Sequence, residues 1–586
     1  MMKKIMSIWC MCFFFCMVTT YGQEPIVFSP NNNVGESIFI HHNTSAFFAG
    51  EYVYYSVYVV KAGSNTLSTF SKIGYVELVG KDKQVVFRHK IKLAQGKGQG
   101  EFFIPATVSS GSYKLIGYTQ WMKNRGKDHF FQSDIAIINP FQSDQSAILS
   151  PVADSVTSNR NETQGIKALE NRIPLGLTLN KKVFEKRDQG QLTISALKND
   201  GAFGDYSISI RKLDTLVASQ MPTAQEYLGA NGMYRPEEKE NNEPPKYLPE
   251  LRGELVSGRI VSKNPDVPLT EETVALSIPG KQFVLKLARV NAEGIFYFNL
   301  DQEYQNNQVL IQILGKNKDN YEIQPLGEST IDYEDLVFKT FTIDSKLKSL
   351  ILERSVYNQV ENAFSELKLD TIVRNESTVP VYRRFPQKYN LDDYTRFPTI
   401  RETVSEIVEH VWVQKEAGGQ EVLQVRKEDY TTKSNRAPLV IVDGILIQEH
   451  GDVIDFNARN VKTINVSRKE CVVNSIIYNG IIALETINGD FLDTYTKDYV
   501  SAVELVPPMP AKVYFAPKYA GSNKYTTDQI PDFRQQLYWL PHLKLDREET
   551  QIDFYTSDVE GTYEIHLEGF TRKGKPVSIK ETFEVN

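Results

Sequence analysis

The stretch that most constrains this chain is 438–490, above all its opening, Pro-Leu-Val-Ile-Val-Asp-Gly-Ile-Leu-Ile. A buried-type apolar run, Leu439–Val442, meets Asp443-Gly444, and a second run, Ile445–Ile447, follows at once. Asp-Gly between apolar runs predicts a hairpin, because glycine accepts the positive φ that a tight turn demands. Turn geometry alone accounts for Asp443. Two further strands are expected at 462–466 and 480–486.

The whole chain has 586 residues, too many for one core, so three to five domains are expected. Its net charge of −7, with Lys and Arg spread throughout, argues against a nucleic-acid-binding stripe. The plentiful Tyr and Phe suit strands and exposed binding faces. The beginning reads as a secretory signal over 1–22, with Lys3 and Lys4 before an apolar region at 5–18. As a helix that region spans roughly 21 Å, short of the about 30 Å of a bilayer core. Thr20-Tyr21-Gly22 supplies small residues at both cleavage positions and makes Gln23 the new N-terminus. The rival reading is a lipoprotein anchored through Cys16, which the bulky Phe15 opposes. No later segment is long and apolar enough to span a membrane as a helix. Cys10, Cys12 and Cys16 leave with the signal, so Cys471 is left without an intramolecular disulfide partner.

Along the chain, turn-bounded runs at β-sandwich spacing fill 23–140, and Tyr118 and Trp121 are read as core packing near a strand end. A polar linker is expected at 141–170, a second β-sandwich unit at 171–225, and an exposed polar loop at 226–250. A third sandwich covers 251–344. A helix and linker follow at 345–389, with Leu347, Leu350 and Ile351 on one face and Tyr357, Val360 and Phe364 near it. A small α+β unit spans 390–490, its helix expected over 399–411 behind a Thr399/Glu402 capping box. A last sandwich, at 491–586, completes a mainly β, elongated series of modules.

Several of these segments carry family resemblances. PLVIVDGILI, VKTINVSRKE and YNGIIALET resemble the plug domain of TonB-dependent outer-membrane receptors in its Bacteroidetes form. FFAGEYVYYSVYV, SKIGYVELVG and SGSYKLIGYTQWMKN resemble a macroglobulin-like domain. GELVSGRIV, NAEGIFYFNL and VLIQIL resemble the regulatory-type domain of carboxypeptidases, a small sandwich that does no chemistry itself. Together they resemble exported Bacteroidetes envelope proteins that pair tandem immunoglobulin-like or macroglobulin-like sandwiches with a plug-like domain. A receptor barrel of about twenty-two strands needs roughly 220 strand residues, and the chain after Asp490 has too few for half of that.

No familiar catalytic pattern is present. No His begins an H-x-x-E pair, H-E-x-x-H is missing, and there is no G-x-S-x-G elbow or phosphate-binding G-x-x-x-x-G-K-[ST] loop. Cys471, in Lys469-Glu470-Cys471-Val472-Val473, lacks the surroundings of a macroglobulin thioester and reads as a small core hydrophobe. Glu449, His450 and Asp452 cluster on the loop after the hairpin as a cation-binding candidate, although adjacent residues in an acidic loop are usually just solvated, and His41-His42 is a metal lure at a strand edge. No catalytic, cofactor-binding or metal-binding residue is assigned, and no cofactor is expected. The expected function is non-catalytic binding or scaffolding at the outer membrane, with a protein partner there. The alternative is a periplasmic or surface accessory of a separate TonB-dependent transporter, its plug-like domain docking on that partner's barrel. A third possibility is an enzyme site assembled across domains around an unidentified carboxylate pair.

Overall fold

In the computed structural model the described residues are 35–149, 175–231 and 245–586, with breaks at 198, 217–218, 265, 268, 270–271, 328–329, 374–378, 429–435, 475 and 520–529. The signal region and Cys16 lie outside them. The fold is mainly β, as expected.

The amino-terminal sandwich pairs a three-stranded sheet (Glu36–His42, Tyr52–Lys61, Lys97–Phe103) with a five-stranded one (Ala46–Phe48, Ile73–Gly80, Val85–Lys92, Gly111–Tyr118, Phe131–Ile138). The three-stranded sheet is covered on both faces. Ile38 and Ile40 lie under Gly117 in their own sandwich, whereas Phe39 meets Phe570 at 6.1 Å and Tyr58 meets it at 5.4 Å. Double burial explains why Glu36–His42 is apolar or buried at nearly every position rather than alternating.

Phe570 belongs to a sandwich assembled from two distant pieces of chain. One sheet orders Val183–Phe184, Pro576–Val585, Gly561–Thr571, Gly204–Lys212 and Gln536–Leu545; the facing sheet orders Glu549–Tyr555, Gln189–Ala196 and Leu175–Leu179. The units expected separately at 171–225 and 491–586 are therefore one domain. Neither piece closes a core alone: Leu192, Ile194 and Ile208 from the first meet Leu545, Phe554 and Leu567 from the second. Strand Gln536–Leu545 escaped the sequence reading because Pro541 interrupts it. It lies at a sheet edge, where a missing N–H is tolerated. The expected loop at 226–250 also needs correction, since helix Ala224–Asn231 crosses its start and buries Ala224, Tyr227 and Leu228 against the amino-terminal core.

The middle sandwich has sheets Ile295–Leu300, Glu254–Ser262, Tyr321–Pro325 and Val284–Arg289, Thr273–Ile278, Gln308–Leu314, Val500–Glu504. Its last strand comes from beyond the α+β unit, so the boundary expected at 490–491 does not separate two modules. That unit has a mixed sheet, Gln387–Asn390, Val461–Ser467, Ile481–Thr486, Leu439–Val442 and Ile445–Ile447, with the 439–442 and 481–486 strands parallel. The predicted hairpin is present, with φ of 50° at Asp443 and 92° at Gly444. One sheet face, Val440, Val442, Ile482 and Leu484, packs on Ile400, Val404, Val453 and Ile454. The other, Leu439, Ile441, Ile481 and Ala483, packs on Ala275, Phe283, Leu285 and Leu287 of the middle sandwich.

The helix expected over 399–411 stops at Glu406. His410 takes φ of 66° and Val411–Lys415 continues as a strand. Thr399 does cap it, accepting from the Glu402 N–H. Helix Lys348–Ala363 sets Leu347, Leu350 and Ile351 against Phe48, Ile138 and Phe341, as its spacing predicted. Its most buried side chain, however, is the charged Arg354. The helix straps the amino-terminal and split sandwiches together: Asn358 donates to Ala49 O, Asn362 to Gly50 O, and Tyr357 stacks on Phe533 at 4.7 Å. The chain thus returns to earlier modules twice and is not a linear series.

Candidate interaction surface

Residues 41 and 42 are consecutive on a strand, so their side chains leave opposite faces and cannot grip one ion. His41 Nδ1 is 2.7 Å from Ser207 Oγ in the split sandwich; His42 Nε2 is 2.9 Å from Ser133 Oγ in its own sandwich. Each pair has the spacing of a nucleophile and its base. Both imidazoles are at most 3% exposed, and Ser207 is fully buried, so no substrate reaches them in this conformation.

Glu449 and Asp452 converge, but on protein cations. Lys497 bridges them at 3.1 and 2.9 Å, and Lys318 is 3.2 Å from Glu449. Burial would raise Glu449; the two lysines outweigh it and hold its carboxyl below the ordinary range. His450 points elsewhere, accepting from the Leu423 N–H at 3.1 Å, and burial pushes its imidazole down to about 4. Cys471 is buried in the seam between mixed sheet and middle sandwich, and burial pushes its thiol up to about 11, away from a reactive thiolate. Asp443 does more than turn the chain: its carboxylate accepts from Thr486 N and Oγ1 at 2.8 and 2.6 Å and from Phe491 N at 3.3 Å. Tyr118 is buried between Tyr75 and Phe130 and donates to Glu77, while Trp121 lies against Phe70.

A carboxylate pair from one short segment, Glu250 and Glu254, lies at the junction of the amino-terminal and middle sandwiches. Glu250 Oε1 accepts from Tyr75 OH and Leu255 N, both at 3.1 Å. Glu254 accepts from Lys90 Nζ at 2.6 Å and from Tyr304 OH at 2.5 Å. Nothing in the local sequence signals the pair, because the partners that bury it from the amino-terminal sandwich, Tyr75 and Lys90, lie 175 and 164 residues away. Both carboxyls are at most 3% exposed, so the pair seals a seam rather than facing substrate. Burial pushes Glu250 up to about 8, assisted by the charge of Glu254. A carboxyl whose folded value is raised contributes its stability fully below its ordinary value, and that stability is lost as pH rises through the folded one. The wild-type seam should therefore weaken as pH rises from about 4.5 to about 8. Glu250→Gln, which keeps a neutral side chain there, should flatten that slope in thermal unfolding measured across the window; an unchanged slope would refute the assignment.

One surface that remains open is aromatic. Tyr52, Tyr54, Ser56 and Tyr58 lie on one face of their strand, with Phe103, Glu101, Gln99 and Lys97 opposite them in register. The split sandwich covers the far end of this face: Ser56 donates to Pro541 O, and Lys97 pairs with Asp205. Trp539 and Tyr514 cover Tyr54 at 6.1 and 4.9 Å. The cover ends there. Tyr52 is 36% and Phe103 41% exposed, their rings 5.1 Å apart and inclined at 58°. Beside them runs a two-stranded ribbon, Thr371–Ile372 with Lys512–Val513. Lys512 ties it to the sheet by pairing with Glu101, and Gln99 donates to Lys512 O at 2.7 Å. Ile372, opposite Lys512, is 50% exposed, and Val513 is 61% exposed. The inclined rings form a notch, and the local charges neutralise one another behind it.

No family model and no curated protein matches the chain. Among solved structures it is similar to Escherichia coli alpha-2-macroglobulin activated by porcine elastase, at 10% identity and a TM-score of 0.24, over 94% of this chain and 44% of that one. It is also similar to Salmonella alpha-2-macroglobulin reacted with methylamine, at 10% identity and a TM-score of 0.22, over 94% and 40%. The chain thus spans less than half of either protein.

Proposed function

We propose that this protein is a non-catalytic binding or scaffold protein of the cell envelope, acting at the outer membrane on a protein partner. The observation that carries the reading is the contrast between two sets of residues. The groups with catalytic chemistry are engaged by protein partners in seams or inside modules, whereas Tyr52 and Phe103 are partly uncovered. Aromatic side chains of this kind supply large contact area at low entropic cost and dominate interface energies. The notch between inclined rings suits an apolar or aromatic side chain of a partner. Export and the outer-membrane setting rest on the signal-like amino terminus and the envelope-protein resemblance.

The accessory reading, in which the α+β unit docks on a transporter barrel, is constrained by its burial. Both faces of its sheet are occupied within this chain, so any docking surface would be its edges and loops, with the middle sandwich carried alongside.

The test is crosslinking in intact cells with the wild type and with Tyr52→Ser combined with Phe103→Ser. The wild type should recover an outer-membrane protein. The double variant should bind that protein about 30-fold more weakly or worse, with its melting temperature lowered by only a few degrees, since both rings are partly exposed but pack on each other, and Tyr52 stacks on Tyr54. Equal binding by the variant, or recovery of the free chain alone from wild-type cells, would overturn the reading. Turnover in a screen of peptides and glycans would favour the enzyme alternative.

A further inference from the structure

We propose that the junction between the amino-terminal and split sandwiches is an acid-released clasp that governs the Tyr52–Phe103 surface. The proposal rests on that surface being the binding face. Three of the eight histidines face this one seam: His41 from the amino-terminal sandwich, His542 and His566 from the split sandwich; His42 points the other way, into its own sandwich.

The contacts across the seam suit neutral imidazoles. His41 is 3% exposed, its ring 4.8 Å from His566 and 5.2 Å from Trp539. Its Nδ1 meets Ser207 Oγ, and its buried Nε2 has no hydrogen-bond partner. In a neutral ring Nδ1 is either a donor or an acceptor, and the Ser207 hydroxyl can match it in either tautomer. An imidazolium needs two acceptors, and only Ser207 is in place. The groups facing it make charging worse. His42 is adjacent on its own strand, His566 stands across the seam, and Lys580 acts from the outer strand Pro576–Val585. The nearby carboxylate, Glu568, is already engaged by His566 at 2.8 Å, Ser578 at 2.6 Å and the Ala224 N–H at 3.1 Å. His542 sits near Lys97 and Asp205, its Nδ1 buried without a partner.

Burial, then His566, His42 and Lys580, hold His41 well below the ordinary imidazole value. Burial holds His542 down to about 4. The closed seam therefore binds fewer protons than the open one. Its stability is complete above about 6.5 and is lost as pH falls toward about 4. Within that window His41 and His542 each shift the closed-to-open ratio about tenfold per pH unit. Ring contacts carry the consequence outward: His41 touches Trp539, Trp539 stacks on Tyr54 at 6.1 Å, and Tyr54 stacks on Tyr52 at 5.5 Å and 12°. Opening the seam removes the wall behind the exposed rings.

The test is hydrogen exchange on the mature full chain at about pH 7.5 and about pH 5, corrected for intrinsic rates, with Trp539 fluorescence in a Trp121→Phe, Trp412→Phe background. Protection of Glu36–His42 and Gly561–Thr571 should fall at least about tenfold at the lower pH, reversibly, while Thr273–Ile278 of the middle sandwich is unchanged. Trp539 emission should move over the same range. His41→Asn should blunt both responses; if it does not fold, His542→Gln serves instead. Flat protection, simultaneous loss in the middle sandwich, or a full response in the variant that folds would each overturn the clasp. Because these readouts need no partner, they separate the clasp from the binding face, which Tyr52→Ser with Phe103→Ser tests at about pH 7.5.

Discussion

Replacing Arg354 by alanine is expected to free the strap helix from both sandwiches, at a cost of about 3–5 kcal/mol. Arg354 donates to Glu51 through Nε and Nη2, each at 2.8 Å, to Asp214 through Nη1 at 2.6 Å, and to Ala46 O at 2.9 Å. Its guanidinium lies 4.7 Å over the Phe48 ring, and the residue is only 3% exposed. The truncation strands two carboxylates that are themselves at most 12% exposed, leaving Arg211, 3.4 Å from Glu51, as their remaining close guanidinium. An uncompensated buried charge costs more than an ion pair gains, which sets the size of the effect. Lysine should not rescue fully, because one ammonium cannot reproduce a planar fork that engages both oxygens of Glu51. Adding Glu51→Gln and Asp214→Asn to Arg354→Met should recover much of the loss. Hydrogen exchange in Lys348–Ala363 and thermal unfolding read the result. An alanine variant within about 1 kcal/mol of wild type would show that the charge cluster is not what fastens the helix.

Gly444→Ala is expected to destabilise the seam between the mixed sheet and the middle sandwich by about 2–5 kcal/mol. Left-handed backbone costs an alanine about 1–2 kcal/mol, and forcing atoms into a filled space adds about 1–3 kcal/mol. Gly444 has φ of 92°, and a Cβ there would lie 2.3 Å from Phe283 Cβ and 3.3 Å from Pro279 Cα. The hairpin is fixed on either side of that point. Gly280 N–H donates to Asp443 O at 3.1 Å, Leu446 N–H donates to Ser277 Oγ at 3.3 Å, and Gln312 donates to Leu446 O at 2.8 Å. It therefore cannot slide away from a new methyl group. Faster exchange in Leu439–Val442 and Val284–Arg289 together would confirm that the two units share one seam. An alanine variant as stable as wild type would mean that the contact yields.

The same glycine shows how far sequence reasoning reaches. Asp-Gly between apolar runs specified the hairpin and the positive φ at its glycine, because turn chemistry is local. It could not show that the turn is pressed against Phe283, which lies about 160 residues earlier in the chain. The helix spacing of Leu347, Leu350 and Ile351 was legible for the same local reason. The burial of Arg354 beside them was not, because its partners Glu51 and Asp214 are brought there by other modules. The candidate clusters behaved alike. His41-His42 and Glu449–Asp452 look like ligand sets when read along the chain. Strand alternation separates the two histidines, and Lys318 and Lys497 arrive from elsewhere to occupy the carboxylates.

By itself, then, the sequence determined local matters: many short strands, the hairpin at Asp443-Gly444, the cap at Thr399, and the want of any familiar catalytic pattern. Tertiary structure decided which strands share a sheet. It joined 175–212 to 536–585, returned Val500–Glu504 to the middle sandwich, and buried both faces of sheets that a local reading leaves uncovered. It also decided that Tyr52 and Phe103 stay open while Tyr54 and Tyr58 on the same face do not. The physical reason is one of range. Turn and capping preferences act over a few residues, whereas burial depends on which distant apolar surface arrives to exclude water.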